Sequence, residues 1–263
     1  MTVTLDDLIA LANELADAAA PVTLQHFRAA AGVDNKAGGA DFDPVTEADR
    51  GAERVMRALI EQVHPSHGIH GEEQGEKAAD GPYTWFLDPV DGTRQFIAGI
   101  PLWGTLIGLE KNGTPLIGVL DQPYLGERFF GSPKGGHLAG RAGTRPLETS
   151  GCRDLSEAKL GTTTPQLFER GHEFDRYSAV EARARLVRYG GDCYFYGMVA
   201  AGHLDLVVEA GLKPFDIMAL VPIIEAAGGV VSAWDGGPAN RGGRVVAAAT
   251  PELHAQALEM LAG

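Results

Sequence analysis

The second half of the chain alternates short apolar strands with helical segments, and this pattern restricts the fold more than any other feature. Apolar runs predict strands near residues 158–163, 185–189, 204–209, 229–233 and 245–249. Helical spacing of apolar residues predicts helices near residues 175–184, 191–201, 215–227 and 251–262. Helices and sheets bury their apolar faces against one another, so the alternation predicts a layered α/β fold with helices packed on sheets.

The first half predicts two helices followed by a hairpin-rich sheet. One helix is predicted over residues 5–30, where Pro21 can kink it, and a second begins at Thr46 as its N-cap. Asn112-Gly113 is typical of a tight hairpin turn. Apolar runs predict strands at 83–87, 102–109, 116–120 and 127–130. The middle of the chain is therefore predicted to be a largely antiparallel sheet.

The domain organisation follows from length and from the absence of linkers. No internal repeat or low-complexity segment divides the 263 residues, and a chain of this length can bury a large core. We expect one domain over residues 1–263, with a first lobe at about 1–145 and a second lobe at about 146–263.

Charge and cysteine content exclude several classes of partner. The net charge of −13 argues against binding to nucleic acid or to an anionic membrane surface. The sequence contains no run of ~20 apolar residues that predicts a membrane span and no basic, apolar signal peptide at its start. Cys152 and Cys193 form no disulfide framework. These features predict a cytoplasmic protein.

Two acidic clusters flank the predicted strand at 83–87. Gly71-Glu72-Glu73 precedes it, and Asp88-Pro89-Val90-Asp91-Gly92-Thr93 follows at its C-terminal end. We expect a Pro-containing turn to bring Asp88 and Asp91 together, where their carboxylates repel each other unless a cation intervenes. Oxygen ligands of this kind suit Mg²⁺. Roles in helix caps and turns would also account for these acids, and for Asp91-Gly92 alone turn chemistry is sufficient.

The segment from Thr93 to Ala98 can begin a helix, which would place the Gly92 and Thr93 amides at its N-terminus as an anion site. The remaining phosphate and metal motifs do not fit. The spacing in Asp88–Gly92 is wrong for an EF-hand loop, no Walker A sequence is present, and two residues separate Asp88 from Asp91 where a phosphoaspartate enzyme has one. Neither cysteine has an arginine six residues later.

The order of the acidic motifs resembles the lithium-sensitive inositol monophosphatase superfamily. The resemblance covers nearly the whole chain and is carried by Val45-Thr46-Glu47-Ala48-Asp49, Gly71-Glu72-Glu73, Asp88-Pro89-Val90-Asp91-Gly92-Thr93, and Asp216 followed by Glu225-Ala226-Ala227-Gly228-Gly229. It implies an αβαβα sandwich, a homodimer and a phosphomonoesterase that acts on a small phosphorylated metabolite. Phe215 stands where the family usually has tryptophan.

The resemblance also implies roles for individual residues. Glu72, Asp88 and the Val90 carbonyl would bind one Mg²⁺, and Asp88, Asp91 and Asp216 a second. Thr93, paired with Asp49, would activate the attacking water together with Glu72. The Gly92 and Thr93 amides would hold the phosphate, and Lys36 would lie in a loop near the site. Two metal ions can activate water without a covalent nucleophile.

Within the superfamily the sequence is most similar to the histidinol-phosphate phosphatase branch. The similarity is carried by Gly99-Ile100-Pro101-Leu102-Trp103-Gly104-Thr105, Asp121-Gln122-Pro123, Gly190-Gly191-Asp192-Cys193-Tyr194, and Glu209-Ala210-Gly211-Leu212-Lys213-Pro214-Phe215-Asp216. Asp192, with Glu209 nearby in the family pocket, would favour an ammonium or imidazolium group, and L-histidinol phosphate has both.

Several of these roles have alternatives that the sequence leaves open. Asp192 is equally well placed to be the N-cap of the helix through Met198, and Glu209 to be a solvated acid at a strand end. The substrate could instead be inositol phosphate, a nucleotide 3′-phosphate or a sugar bisphosphate. A catalytically silent metal-binding protein on the same fold is the last alternative, and the presence of Thr93 and Asp49 argues against it.

Overall fold

The computed structural model of the protein describes residues 3–29, 33–35 and 44–261. The α-helices in these ranges are α1 (Leu5–His26), α2 (Glu47–Val63), α3 (Thr93–Ile97), α4 (His172–Arg183), α5 (Asp192–Ala200), α6 (Pro214–Ile217), α7 (Leu220–Ala226) and α8 (Pro251–Leu261). Short 3₁₀ helices span Leu155–Glu157, Pro165–Leu167 and Ala239–Arg241. Within the described part of the chain, no helix has the length and apolar character that crossing a membrane requires.

The strands of the described ranges form three sheets. In chain order they are β1 (Val33–Asn35), β2 (Pro44–Thr46), β3 (Gly68–Gly71), β4 (Gly75–Lys77), β5 (Tyr83–Asp91), β6 (Gly104–Lys111), β7 (Thr114–Gln122), β8 (Glu127–Ser132), β9 (Gly135–Gly140), β10 (Gly143–Pro146), β11 (Lys159–Thr162), β12 (Leu186–Tyr189), β13 (Leu206–Leu212), β14 (Val230–Ala233) and β15 (Gly243–Ala248). β1 and β2 pair with each other as an antiparallel two-stranded sheet.

The larger sheet has eight strands in the order β10-β9-β8-β7-β6-β5-β3-β4. All its pairs are antiparallel except β3 with β5, which confirms the antiparallel sheet predicted for the middle of the chain. The turn between β6 and β7 contains Asn112 and Gly113 with φ values of 52° and 81°. Both values are positive, as a two-residue hairpin turn requires, so the predicted hairpin is also confirmed.

The smaller sheet has five strands in the order β12-β11-β13-β15-β14. β12, β11 and β13 run parallel, and β15 lies antiparallel between β13 and β14. All five strands predicted in the second half of the chain are present within a few residues of their expected bounds.

The helices and the two large sheets stack in five layers. The helices α1 and α2 cover one face of the eight-stranded sheet. Its other face packs on α5, α6 and α7, which also contact the five-stranded sheet. The helices α4 and α8 cover the outer face of the smaller sheet. The αβαβα sandwich is therefore confirmed.

Two predicted helices differ from the structure. α1 ends at His26 rather than at residue 30. The single helix expected over 215–227 is two helices, α6 and α7. Pro222 explains the break, because proline has no N–H to donate to the carbonyl of Met218 and its ring excludes that carbonyl.

A row of glycines lets the middle helices lie directly on the larger sheet. Gly108, Gly118 and Gly131 are paired partners on β6, β7 and β8. A Cβ atom on Gly118 would overlap the Ala219 carbonyl oxygen, and one on Gly131 would overlap the start of α7. Because only glycine fits at this row, the backbone around Ala219 rests on the sheet and α6 is held against β5 and β6.

Candidate active site

The acidic segment of β5 points into the middle helical layer. Along this strand Trp85 and Leu87 pack under α1 and α2, so Phe86 and Asp88 face the opposite layer. Asp88 is 2% exposed. The strand therefore carries a carboxylate into the interior, between the two large sheets.

An irregularity in β5 brings Asp91 to the same side as Asp88. β5 pairs regularly with β6 up to Asp88, and the register shifts before Asp91 pairs with Gly104. In a regular strand, side chains three residues apart point to opposite faces, and a bulge removes this alternation. The Thr105 hydroxyl donates to the Pro89 carbonyl at 2.8 Å within the irregular segment. The predicted Pro-containing turn is thus wrong in form, since the segment is a bulged strand.

Asp88, Asp91 and Asp216 form a compact carboxylate cluster, in which one oxygen from each residue lies within 4.8 Å of the others. The Oδ2 of Asp91 accepts the Cys193 backbone N–H at 2.7 Å. The Oδ2 of Asp216 accepts the Lys213 N–H at 2.7 Å. Asp216 lies at the third position of α6, whose N-cap is Lys213. It therefore lies at the start of a helix, as the helix predicted near residues 215–227 implies.

The electrostatics of this cluster favour a cation. Burial, together with the charges of Glu72, Asp91 and Asp216, raises the pKa of Asp88 well above its usual value. Burial also raises the pKa of Asp216 to about 7, against the hydrogen bond from Lys213. Carboxylates so close together repel each other as anions, and a divalent cation among them would remove that repulsion. An all-oxygen donor set of this size fits Mg²⁺.

Glu72 and Asp49 are close enough to the cluster for their charges to act on it. Their charges add to the effect of burial in raising the pKa of Asp88. Glu72 lies in the turn between β3 and β4, where its N–H donates to the Leu87 carbonyl of β5 at 3.1 Å. Asp49 lies in the first turn of α2 and is 2% exposed. The structure therefore brings both predicted residues to the cluster.

The segment that follows the cluster has the predicted helix start. Gly92, with φ of 84°, is the N-cap of α3. A Cβ atom there would lie 3.0 Å from the Leu102 carbonyl oxygen, so the chain passes too closely for a side chain. The Thr93 hydroxyl donates to the Val90 carbonyl at 3.2 Å. The pairing of Thr93 with Asp49 stays a prediction, and Lys36 lies outside the described residues.

A second polar group lies beside the cluster, around a small cavity. Residues of β13, α5 and α6 line it together with the cluster, among them Asp91, Thr163, Asp192, Tyr196, Glu209 and Asp216. Three atoms at or beside this cavity are buried without a hydrogen-bond partner in the described parts of the chain, namely Oδ2 of Asp192, Oε2 of Glu209 and the Tyr196 hydroxyl. Buried polar atoms in native proteins are usually paired, so these three are candidates for contacts to a ligand.

The structure contradicts a capping role for Asp192 and a solvated position for Glu209. The N-cap of α5 is Gly191, and Asp192 is the first helical residue, with an unusual φ of 44°. Glu209 is 1% exposed rather than solvated, since the alternation along β13 turns it toward the middle layer with Val207. Burial raises the pKa of Asp192 and raises the pKa of Glu209 to about 8.

Two hydroxyl-bearing residues of this cavity, Thr163 and Tyr196, are not among those predicted from the sequence. Thr163 donates to Oε1 of Glu209 through its backbone N–H at 2.6 Å and its hydroxyl at 3.0 Å. The run of threonines at 162–164, which begins with the last residue of β11, is the signal that could have revealed it. Tyr196 is 2% exposed, and within the apolar helix α5 its sequence context is that of a packing residue.

A bulged strand with a buried carboxylate cluster, between the sheets of an αβαβα sandwich, defines a class of layered enzymes suited to divalent cations. The model of the inositol monophosphatase family matches residues 4–262, so the chain belongs to this family of metal-dependent phosphatases.

Individual relatives carry two kinds of name. The chain is 43% identical to the chloroplastic bifunctional phosphatase IMPL2 of Arabidopsis thaliana, over 98% of this chain and 75% of that protein. It is 35% identical to a histidinol-phosphatase of Streptomyces coelicolor, over 98% and 97%. The solved structure of an inositol monophosphatase from Zymomonas mobilis matches with a TM-score of 0.87 and 42% identity, over 100% of both chains. These names agree on phosphatase chemistry and differ on the substrate.

Proposed function

We propose that the protein is a Mg²⁺-dependent phosphomonoesterase that hydrolyses L-histidinol phosphate to L-histidinol and phosphate. The observation that carries the choice of substrate is the pair of buried carboxylates, Asp192 and Glu209, beside the acidic cluster. Their partnerless oxygens favour a substrate that brings positive charge to this cavity.

The acidic cluster would hold the metal. Asp88, Asp91 and Asp216 supply carboxylate oxygens, and we assign Glu72 and the Val90 carbonyl to the same ligand set. When bound, Mg²⁺ supplies positive charge to the phosphoryl oxygens and lowers the pKa of water.

The residues around the cluster would orient the attacking water and hold the phosphate. We assign the orientation of the attacking water to Thr93 and Asp49, together with Glu72. The Thr93 hydroxyl is held by the Val90 carbonyl, so its position is fixed by the same segment that carries Asp88 and Asp91. The Gly92 and Thr93 amides at the start of α3 would hold the phosphate. Groups fixed in advance need no reorganisation during the reaction.

The charges of the cavity support the proposal of a cationic substrate. Burial is the main cause of the raised pKa of Glu209 and the charge of Asp192 adds to it, so the two carboxylates repel each other. An ammonium or imidazolium group neutralises them and donates to their partnerless oxygens. A hydrogen bond to a charged group contributes about 1.5–3 kcal/mol, against about 0.5–1.5 kcal/mol for a neutral one. A polyol hydroxyl can also donate to these oxygens, but it brings no positive charge to offset the repulsion between the two carboxylates.

An inositol phosphate is the second candidate. Oε1 of Glu209 already accepts two hydrogen bonds from Thr163, and Oε2 can accept a hydrogen bond from a substrate hydroxyl group. The Zymomonas mobilis structure carries an inositol monophosphatase name, which supports this alternative. Nucleotide 3′-phosphates and sugar bisphosphates remain further candidates.

A substrate panel tests the proposal. Phosphate release is measured from L-histidinol phosphate, inositol 1-phosphate, a nucleotide 3′-phosphate and a sugar bisphosphate, each with Mg²⁺ and with a chelator. We expect the largest kcat/KM for L-histidinol phosphate and no release without the metal. A preference for inositol 1-phosphate would show that the protein is an inositol monophosphatase instead. Full activity with the chelator would show that the reaction does not need Mg²⁺.

The family resemblance also supports a homodimer, which we propose as the assembly state. Light scattering on the purified protein tests it. A dimer has twice the chain mass of 27.8 kDa, whereas a mass equal to the single chain would contradict the proposal.

A further inference from the structure

Helix α2 contains a buried carboxylate that takes no part in the chemistry described above. Glu53 is 0% exposed. Its Oε1 accepts Nε of Arg57, one helical turn later, at 2.6 Å, and the Arg57 side chain is only 11% exposed. A buried ion pair is costly unless further hydrogen bonds satisfy its remaining donors and acceptors. The partners of these further hydrogen bonds therefore indicate the role of the Glu53–Arg57 ion pair.

The remaining bonds go to the turn that contains Glu72. The Glu73 backbone N–H donates to Oε2 of Glu53 at 2.7 Å, and the Gln74 N–H donates to its Oε1 at 3.0 Å. The Arg57 guanidinium also donates to the carbonyl of Gly75. On the other side of Glu72, a Cβ atom at Gly71 would overlap the Glu53 carboxylate. The ion pair thus contacts the turn both before and after Glu72.

The same helix supplies Asp49, four residues before Glu53. Residues four apart lie on one face of a helix, so Asp49 and the carboxylate that binds the turn face the same way. The turn is also held from β5, through the bond from the Glu72 N–H to Leu87. α2 and β5 therefore hold the Glu72 backbone between them, and the charge of Glu72 acts on both Asp88 and Asp216.

We infer that Glu53, held in place by Arg57, is a positioning residue that sets the Mg²⁺ affinity of the acidic cluster by fixing Glu72. The inference rests on the proposed function, because it requires the cluster to bind Mg²⁺. Glu53 touches neither the substrate nor the metal in this role. Residues that orient a metal ligand typically change metal affinity by about 10- to 100-fold when they are replaced.

Glu53→Gln is the informative substitution. It keeps the length of the side chain but replaces one acceptor oxygen with an NH₂ group, which cannot accept a backbone N–H. It also removes the negative charge that pairs with Arg57. We expect Mg²⁺ binding, measured by isothermal titration calorimetry without substrate, to weaken by about 10- to 100-fold. At saturating Mg²⁺ most of the kcat should return, because Glu53 holds no reacting group.

Asp205→Asn is the matched control. Asp205 is a carboxylate with 1% exposure that accepts the Lys159 backbone N–H at 2.8 Å and lies 3.8 Å from Lys159 Nζ. It lies just before β13, whereas Glu209 lies further along the strand at the cavity. Both variants should lower the melting temperature, but only Glu53→Gln should weaken Mg²⁺ binding. Equal losses of Mg²⁺ affinity in the two variants would show that Glu53 has a purely structural role.

Arg57→Lys covers the case in which Glu53→Gln does not fold. Lysine keeps the positive charge beside Glu53 but lacks the planar guanidinium that donates to both Glu53 and the Gly75 carbonyl. We expect a smaller loss of Mg²⁺ affinity in the same direction, and unchanged affinity overturns the inference. If the wild-type protein binds no Mg²⁺ in the calorimeter, the proposed function fails and the inference fails with it. If wild type and variants bind Mg²⁺ equally, only the positioning role fails.

Discussion

Asp192→Asn separates substrate recognition from folding at the cavity. Asp192 has a φ of 44°, in the left-handed region that asparagine tolerates better than most residues. The start of α5 should therefore keep its shape. The substitution removes the negative charge and exchanges one acceptor oxygen for a donor, and it leaves the size of the side chain nearly unchanged.

The size of the effect follows from the environment of the carboxylate. Oδ2 of Asp192 has no hydrogen-bond partner within the described residues, and asparagine keeps one oxygen as an acceptor for Gln95, whose hydrogen bond acts on Asp192. The loss of one charge-assisted hydrogen bond to the substrate costs about 1.5–3 kcal/mol. This corresponds to a decrease in kcat/KM of roughly 10- to 150-fold on L-histidinol phosphate. Inositol 1-phosphate, whose ring carries no positive charge, should lose much less.

Stability should change in the opposite direction. Burial raises the pKa of Asp192, and burial together with the charge of Asp192 raises the pKa of neighbouring Asp91. A raised pKa means that the folded state binds a proton more tightly than the unfolded state does. The ionised carboxylate therefore destabilises the fold above its folded pKa, and Asn removes this cost. We expect a higher melting temperature for the variant at pH ~8, and a difference that shrinks as the pH falls.

The assay compares kcat/KM on both substrates and melting temperature for wild type, Asp192→Asn and Asp121→Asn. Asp121 is also a buried acid, 5% exposed, but it is paired with Arg128 at 2.7 Å. Its substitution should lower stability and affect both substrates alike. An equal loss on both substrates in Asp192→Asn would refute charge recognition by Asp192. A wild-type enzyme that prefers inositol 1-phosphate would refute the choice of substrate.

Four further expectations test the rest of the site. Asp91→Asn should keep the fold by circular dichroism while Mg²⁺ binding and kcat fall by orders of magnitude; near-normal Mg²⁺ binding in calorimetry would contradict the ligand assignment. Thr93→Ala should lower kcat by about 10²- to 10⁴-fold with KM nearly unchanged, whereas a defect confined to KM would make Thr93 a substrate-binding residue. Tyr196→Phe should raise the melting temperature, because a buried hydroxyl without a partner costs about 1–3 kcal/mol, and lower stability would show that the hydroxyl is paired. Burial raises the pKa of Asp216 to about 7, so the folded state binds more protons than the unfolded state. Thermal melts of chelator-treated protein should therefore show stability falling as the pH rises from about 4 to above 7. The pH dependence should be weaker in saturating Mg²⁺.

The sequence by itself determined the elements that depend on local preference. Apolar runs specified the strands on both sides of the sandwich, and Asn112-Gly113 specified its hairpin because both residues adopt positive φ values at little cost. The acidic motif at Asp88 and Asp91 is also local, and it was sufficient to predict a cation site at the end of β5. The strands β3, β4, β9 and β10 were missed, since their sequences carry no apolar run and they form by pairing with neighbouring strands.

Only the tertiary structure decided how distant residues meet at the site. Asp216 reaches the cluster because α6 lies against the larger sheet, next to the glycine row on β6, β7 and β8. Glu209 became a buried acid because its face of β13 is covered by α5, whereas a strand end alone suggests exposure. Glu53 holds the Glu72 turn through backbone N–H groups, which any residue except proline provides. Such contacts depend on which faces of the helices and strands pack together, and local sequence patterns do not specify that packing.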